Sequence, residues 1–180
     1  KPDLHELTIT PAEPLAAGDP VAVRVRYHGF PDDIAWQGES NWLANDHEVV
    51  TMNEPHMAAW WFPSNDHPSD KARFDIRITT GKGREVVSNG VLKGRAVHGR
   101  TATTHWRMAD PMATYLAFFA AGQFAVERGT AHGLRYYNAV FGDIYLLNRK
   151  LLPVFDVVTL FHLCEFRGDK NDAYGAMTDL

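Results

Sequence analysis

Alternating apolar and polar residues predict β-strands along most of the first 130 residues. Three segments alternate in this way: VAVRVRY from Val21, FDIRITT from Phe74 and TATTHWRM from Thr101. A period of two places every second side chain on the same face of a strand. The predicted faces carry Val21, Val23, Val25 and Tyr27; Phe74, Ile76 and Ile78; and Thr104, Trp106 and Met108.

Turn-forming triplets separate the predicted strands. They are Gly18-Asp19-Pro20, Gly81-Lys82-Gly83, Ser88-Asn89-Gly90 and Ala109-Asp110-Pro111. Many short strands joined by such turns favour a sandwich or a saddle-shaped assembly of antiparallel sheets. The fold class is therefore predicted to be mainly β.

The periodicity becomes helical in the last forty residues. Val154, Val157, Val158 and Phe161 are spaced i, i+3, i+4 and i+7 behind Pro153, a residue suited to the first turn of a helix. This pattern predicts a short C-terminal helix over 153–166. We therefore divide the chain into a β domain over 1–138 and a divergent, partly helical tail over 139–180.

The composition is that of a globular protein, with 45% hydrophobic and 22% charged residues. A net charge of −4 without a basic stripe argues against nucleic acid as a partner, and no apolar run is long enough to span a membrane. The single cysteine, Cys164, excludes an internal disulfide framework and does not indicate a compartment. The first residues, KPDLHELTIT, contain no initiator Met, which indicates a fragment or a processed start.

Aromatic and polar residues are unusually dense in the segment WWFPSNDHPSDKARF, which starts at Trp60. In a structural interpretation the aromatic rings fill the core, Asn65 and Asp66 satisfy turn amides, and Lys71 pairs with a nearby acid. In an alternative interpretation the chain is a metal-free binding module for a peptide, a sugar or a partner domain. Its aromatic face would then consist of Trp36, Trp42, Trp60 and Trp61.

The longer segment NEPHMAAWWFPSNDHPSDKARF resembles the signature of the aminopeptidase N family, zinc metallopeptidases of the gluzincin type. The matching positions are Glu54-Pro55, Ala58-Ala59, Phe62, Pro63, Asp66, Pro68, Lys71-Ala72 and Phe74, and the segments VSNG from Val87, HW from His105 and DPMATYLAFFAAGQF from Asp110 follow in the family's order. The resemblance is closest to the actinobacterial-type variant and covers about residues 1–138. It implies the saddle-like, all-β N-terminal domain of that family.

Several positions depart from the family pattern. Ser64 replaces the usual Cys, Ala59 replaces the usual Arg, and Thr51-Met52 stands where relatives have a Thr-Gln pair. Gly175, Ala176 and Met177 match the start of the family's Gly-Ala-Met-Glu-Asn motif, but Thr178 and Asp179 replace its last two residues. By resemblance, these three residues lie where a truncated catalytic domain begins and where its strand edge pairs with the substrate backbone.

Glu54 is the main candidate for substrate binding. By resemblance, it matches the residue that reaches from the N-terminal domain into the catalytic cleft and holds the free α-amino group of the substrate. A carboxylate facing an ammonium group forms a charge-assisted hydrogen bond, which is strong where water is excluded. From the residues alone, the favoured interpretation of Glu54 is an exposed acid at a strand end, because exposed acids are the rule.

The zinc ligands of this family are absent from the sequence. A His-Glu-x-x-His helix places two imidazoles on one face and needs a third ligand downstream, yet no such pentad occurs. The nearest pair is His162 and Glu165, and two ligands are too few for a catalytic site. The sequence also lacks a Gly-x-Ser-x-Gly elbow and a phosphate-binding glycine loop.

These observations together predict an amine-anchoring, structural N-terminal domain of a zinc-dependent aminopeptidase. The chain is expected to hold no cofactor and to be inactive alone, with zinc bound in the parent enzyme. Its expected partners are peptide N-termini and the missing catalytic domain. The apolar face that would meet that domain predicts self-association of this chain.

Overall fold

A computed structural model describes residues 6–30, 34–35, 38–131, 133–141 and 161–164. At 131, 134, 141 and 161–164 it describes the backbone alone. Among the described residues, no helix has the length and apolarity needed to cross a membrane.

Ten strands and two short helices make up the described fold. The strands are β1 (Trp42–Ala44), β2 (Val49–Thr51), β3 (Ala72–Gly81), β4 (Glu85–Ser88), β5 (Val91–His98), β6 (Thr101–Met112), β7 (Phe119–Gly122), β8 (Phe124–Ala131), β9 (Leu134–Phe141) and β10 (Phe161–Cys164). The helix α1 covers Ala58–Trp61, and a 3₁₀ helix covers Thr114–Leu116.

All strand pairings within the described residues are antiparallel, and they form three sheets. Four strands pair in the order β1-β2-β7-β4, three in the order β3-β6-β5 and three in the order β10-β9-β8. The predicted mainly β, antiparallel fold class is confirmed.

The strand pattern predicted for β3 and β6 is confirmed. Phe74, Ile76 and Ile78 are the less exposed residues of β3, and Trp106 is buried on β6. Ile76 pairs with Trp106 in the ladder, so the two apolar faces coincide. The turns predicted at Gly81-Lys82-Gly83 and Ser88-Asn89-Gly90 separate β3 from β4 and β4 from β5.

The turn predicted at Ala109-Asp110-Pro111 is wrong, because these residues belong to β6. The pairing shifts from Phe74 with Met108 to Ala72 with Met112, which leaves extra residues on β6 as an irregularity in the ladder. Bulges accommodate such insertions without ending a strand. The pairing of β5 with β6 ends at Arg107, so Pro111 lies where β6 has no neighbour on that side.

Strands β4 and β7 of the four-stranded sheet are buried on both faces. Val87 and Ala120 belong to a core cluster with Trp106, while Val86 and Ala121 belong to a second cluster with Phe119. Neighbouring residues of a strand point to opposite faces, so the two clusters pack on the two sides of the sheet. A strand buried on both faces shows no alternation, which explains why FAAG from Phe119 gave no strand signal.

The strand predicted over Val21–Tyr27 is wrong. The described backbone forms no strand there, and Val21, Val23, Val25 and Tyr27 are all exposed. Alternation creates an apolar face, but a strand also needs a neighbour whose backbone groups complete its hydrogen bonds. Tyr27 Oη of this segment donates a hydrogen bond of 2.8 Å to the Trp61 carbonyl oxygen.

The helix predicted over 153–166 is wrong at 161–164, the part of this range that the structure describes. Phe161–Cys164 form the strand β10, which pairs with β9 from Phe161 opposite Ala139 to Cys164 opposite Tyr136. The remainder of the predicted helix lies outside the described residues. A short apolar run rich in β-branched residues fits either structure, and here pairing with β9 decides.

Two contacts between an acidic and a basic side chain lie within the described part of the chain, and both involve Asp75 on β3. Its carboxylate contacts the Arg77 guanidinium, and His105 Nε2 on β6 lies 2.9 Å from Asp75 Oδ1. The expected pairing of Lys71 with an acid is therefore not found among those residues. Desolvation alone would raise the pKa of Asp75, but the hydrogen bond from His105 and the charge of Arg77 outweigh it and lower the pKa.

We expect Asp75→Asn to change the acid dependence of stability. A carboxyl whose pKa is lowered by folding stabilises the protein above its unfolded-state pKa, and this contribution disappears as the pH falls through the folded-state pKa. The difference in free energy of unfolding between the native chain and the variant should therefore persist above about pH 4 and vanish in stronger acid. Urea titrations across this range, with Asp110→Asn as an exposed control, measure it. A difference independent of pH would contradict the ion pairs.

Candidate functional site

Glu54 lies in the connection between β2 and β3, residues 52–71, which we call the β2–β3 loop. Its side chain is exposed, and the Glu54–Pro55 peptide bond is cis. On either side, Asn53 and Met57 are buried. The backbone N–H of Met57 donates to the Asn53 carbonyl oxygen at 2.8 Å, which closes a turn around Glu54. The candidate anchor is therefore an exposed carboxylate between two buried residues, Asn53 and Met57.

Asn53 attaches this turn to the rest of the fold. Its side chain is only 2% exposed, and its Nδ2 donates to the Ala117 carbonyl oxygen. Its Oδ1 accepts a hydrogen bond of 3.0 Å from Nδ2 of Asn41, which also donates to the Met57 carbonyl oxygen at 2.8 Å. Buried amides of this kind need every partner, so the network fixes the position of the Glu54 backbone.

Asp66 joins three parts of the site. Its Oδ2 accepts from the backbone N–H groups of Ala58 at 3.1 Å and Ala59 at 3.4 Å, at the start of α1. Its Oδ1 accepts from Thr114 Oγ1 at 2.8 Å. The first N–H groups of a helix have no partner within it, so a carboxylate supplied from later in the chain satisfies them. The signature Asp thus binds the loop to the 3₁₀ helix.

Residues of the segment VSNG hold the same region from the other side. Ser88 Oγ donates to the Phe118 carbonyl oxygen at 2.6 Å, and Asn89 Nδ2 donates to the Leu116 carbonyl oxygen at 3.0 Å. Asn89 Oδ1 accepts from the Phe118 N–H at 2.8 Å. Gly90 has φ +85°, and a Cβ there would lie 2.2 Å from the Arg107 carbonyl oxygen, so the turn requires glycine.

The aromatic residues of the loop pack against one another. The Trp61 ring lies 5.1 Å from the Phe62 ring and 5.2 Å from the Phe119 ring, measured between centroids. Trp42 meets Phe119 edge-on at 5.4 Å. Trp61 and Trp42 therefore stabilise the core, as aromatic pairs commonly do. Trp60 is half-buried with an edge contact to His56, and Trp36 lies outside the described residues.

The other candidate residues lie away from the β2–β3 loop or outside the described residues. His162 is part of β10 opposite Asn138, and Glu165, Gly175, Ala176 and Met177 lie outside the described residues. In the described ranges, no group of three His, Cys, Asp or Glu residues could hold a metal ion. Of the signature residues, Pro63, Pro68 and Lys71 are exposed, and Asp66 makes the contacts given above.

Asn41, Asn53 and Thr114 are residues of the site that the sequence pattern did not indicate. Each is buried, and each has a hydrogen-bond partner at least twelve positions away in the chain. The sequence contained one indication of these residues: Asn53 is a polar residue directly before the candidate anchor Glu54. Distant partners leave no local pattern in a single sequence.

The family model described as "Peptidase M1 N-terminal domain" matches residues 1–116. Rat endoplasmic reticulum aminopeptidase 1 is 29% identical over 143 residues, which cover 73% of this chain and 15% of that protein. Human glutamyl aminopeptidase is 39% identical over 77 residues, or 42% of this chain and 8% of that protein. The chain thus spans a small part of the length of these relatives.

A solved structure, that of the M1 zinc metallopeptidase from Deinococcus radiodurans, is similar to the chain at 23% identity with a TM-score of 0.48. The match covers 50% of this chain and 21% of that structure. The family model covers more than half of the chain, which is sufficient to assign the chain to a family. The chain belongs to the M1 peptidase family and contains its N-terminal domain.

Proposed function

We propose that this chain is the amine-anchoring and structural N-terminal domain of a zinc-dependent aminopeptidase that removes N-terminal residues from peptides. The position of Glu54 carries the proposal. Its carboxylate is exposed, yet the backbone on both sides is held by the buried Asn53 and Met57. A binding group must be accessible to substrate while its backbone is fixed, and Glu54 meets both conditions.

The chemistry of Glu54 suits the recognition of a peptide N-terminus. A carboxylate accepts hydrogen bonds from an ammonium group, and charge roughly doubles the strength of such bonds. Only the first residue of a peptide carries an α-ammonium group. Holding that group would place the first peptide bond at a set distance from the anchor, which gives removal of single N-terminal residues.

Zinc belongs to the catalytic domain in this proposal. The described residues offer no three-ligand cluster, and the sequence lacks His-Glu-x-x-His. No step of the reaction is assigned to metal bound by this chain. We infer that residues 1–138 belong to the β domain, whose strand β9 continues to Phe141 and pairs with β10 at Phe161–Cys164. The remainder of 139–180 is a divergent tail. There, Gly175, Ala176 and Met177 would begin the catalytic domain and contact the substrate backbone.

The proposed partners are the catalytic domain and the N-termini of peptides. Self-association of the isolated chain stays a prediction from its apolar surface. The described N-terminal segment exposes Val21, Val23, Val25 and Phe30, which suits contact with a further surface. Sedimentation equilibrium at high concentration tests it, and a monomer throughout would refute it.

The test of the proposed function is the effect of Glu54 variants on an enzyme that joins this domain to its catalytic domain. We expect Glu54→Ala to lower kcat/KM for an aminoacyl amide by about 10- to 100-fold, because a hydrogen bond to a charged group contributes about 1.5–3 kcal/mol. Glu54→Gln, which keeps the acceptor oxygen and loses the charge, should fall between the native enzyme and Glu54→Ala.

The matched control is Glu127→Gln, which removes an exposed carboxylate on β8. Zinc content and unfolding midpoint should be unchanged in all three variants, since Glu54 is exposed. Native kcat/KM in Glu54→Ala, with zinc bound, would refute the amine-anchoring role.

A further inference from the structure

A cavity of about 250 Å³ opens between the start of β5, the middle of β6 and the hairpin formed by β8 and β9. It shares no residue with the β2–β3 loop, so its contents are independent of the role of Glu54. Its volume lies below the range of pockets for drug-sized ligands, so the fitting ligand is small.

One side of the cavity is apolar. The Trp106 ring is 1% exposed and meets the Tyr137 ring edge-on, with the centroids 5.2 Å apart. Leu92 packs against the same core cluster. Tyr136 lies across Gly129, where a Cβ would come within 2.4 Å of the phenol oxygen. This wall is suited to an aromatic ring or a short aliphatic body.

The other side of the cavity carries two arginines. Arg128 Nη2 donates to Tyr137 Oη at 3.2 Å, and the guanidinium carbon lies 4.6 Å from the centre of the Tyr137 ring. Arg135 also lines the cavity. Because Arg128 pairs with Tyr137 and Thr130 pairs with Arg135, both arginines belong to the same face of the hairpin. Both arginine side chains are exposed, and the Glu85 carboxylate also acts on Tyr137, so part of their positive charge is offset.

Tyr137 contributes a neutral hydroxyl group to this cationic side. Burial raises the pKa of Tyr137, and the hydrogen bond from Arg128 opposes that rise without cancelling it. The phenol therefore keeps its hydrogen at neutral pH. Since its oxygen accepts from Arg128, that hydrogen can be donated to a ligand.

We propose that this cavity binds a small monocarboxylate with an apolar body, such as an arylacetate. The carboxylate would lie at Arg128, where a guanidinium offers forked N–H donors that match its two oxygens. The apolar body would contact Leu92 and Tyr136. A neutral ligand of the same shape would lose the charge-assisted hydrogen bonds to Arg128, and a phosphate would leave the apolar wall empty.

Isothermal titration of the 180-residue chain with phenylacetate tests the proposal, with phenylacetamide as the neutral isostere. We expect phenylacetate to bind with a Kd of about 1 mM, as suits about ten non-hydrogen atoms, and the amide to bind at least about tenfold more weakly. Arg128→Gln should weaken phenylacetate binding by about tenfold or more. Arg100→Gln, an exposed arginine away from the cavity, is the matched control.

Tyr137→Phe keeps the ring and removes the hydroxyl, so it should weaken phenylacetate binding less than Arg128→Gln does. Unfolding midpoints verify that each variant is folded. The ligand carboxylate could belong to a free small acid or to the carboxyl end of a peptide, and N-acetylphenylalanine distinguishes the two. If it binds more tightly than phenylacetate, the natural ligand is the carboxyl end of a peptide. If it binds more weakly, the natural ligand is a free acid. Equal binding of acid and amide, an unchanged Kd in folded Arg128→Gln, or no binding at 10-fold the expected Kd would overturn the proposal.

Discussion

Trp106→Ala is expected to lower the free energy of unfolding by about 4 kcal/mol, the usual range for truncating a buried aromatic residue. Trp106 is 1% exposed and contacts residues of all three sheets through its core cluster. Its Nε1 donates to the Val86 carbonyl oxygen at 3.0 Å, so truncation leaves both a cavity and an unpaired buried carbonyl. Natural domains are stable by about 5–15 kcal/mol, so the variant should lose a large fraction of its stability and unfold at a much lower urea concentration.

Urea unfolding at low temperature, followed by far-UV circular dichroism, measures this loss. Trp106→Phe separates its causes, because it keeps much of the ring and removes the hydrogen bond; its cost should be about 1–2 kcal/mol. Trp60→Ala is the matched control, since that ring is half-buried, and about 1 kcal/mol is expected there. Equal losses in Trp106→Ala and Trp60→Ala would show that Trp106 does not join the sheets.

Asn53→Ala is expected to cost about 3 kcal/mol, because two buried polar groups lose their partners at once. The Ala117 carbonyl oxygen loses its side-chain donor, and Asn41 loses the acceptor of one of its two described hydrogen bonds. Asn53 itself is 2% exposed, so water does not replace these contacts without rearrangement. The loss would also release the turn that carries Glu54.

The matched control is Asn65→Ala in the same loop, where the side chain is exposed and donates to Asp70 at 2.9 Å. We expect a change within about 0.5 kcal/mol there. Asn53→Asp adds a second test: a carboxylate cannot donate to the Ala117 carbonyl oxygen, so the loss of stability relative to the native chain should be larger at neutral pH than in acid, where the new carboxyl is protonated. Denaturant midpoints that are the same for Asn53→Ala and Asn65→Ala would contradict the network.

Local periodicity predicted β3 and β6 but gave no strand prediction for β5, which is mostly exposed, or for β7, which is buried throughout. β3 alternates cleanly because one face is solvated, whereas Phe119–Gly122 is buried throughout and carries no alternation. The Val21–Tyr27 segment alternates as well as β3 does but has no described ladder neighbour. Pairing with a distant strand is the missing information in both cases, as it is for Phe161–Cys164.

In the candidate site, too, the sequence indicated residues of a local motif and missed the contacts between residues far apart in the chain. Glu54 and Asp66 were indicated by resemblance, because they belong to a run of residues with a recognisable order. The hydrogen bonds that hold them join residues far apart, such as Asn53 with Ala117 and Asp66 with Thr114. Such contacts depend on the assembled sheets, and no periodicity in one sequence reveals them.

The zinc content of the purified 180-residue chain tests the central claim most directly. The claim is that this domain supplies an anchor for the substrate amine and leaves zinc to the catalytic domain. After dialysis against trace zinc, elemental analysis should find close to no zinc per mole of chain, because three ligands around one ion are needed for a catalytic site. About one zinc per chain would contradict the claim, since His162, Glu165 and a third ligand would then form a metal site of their own.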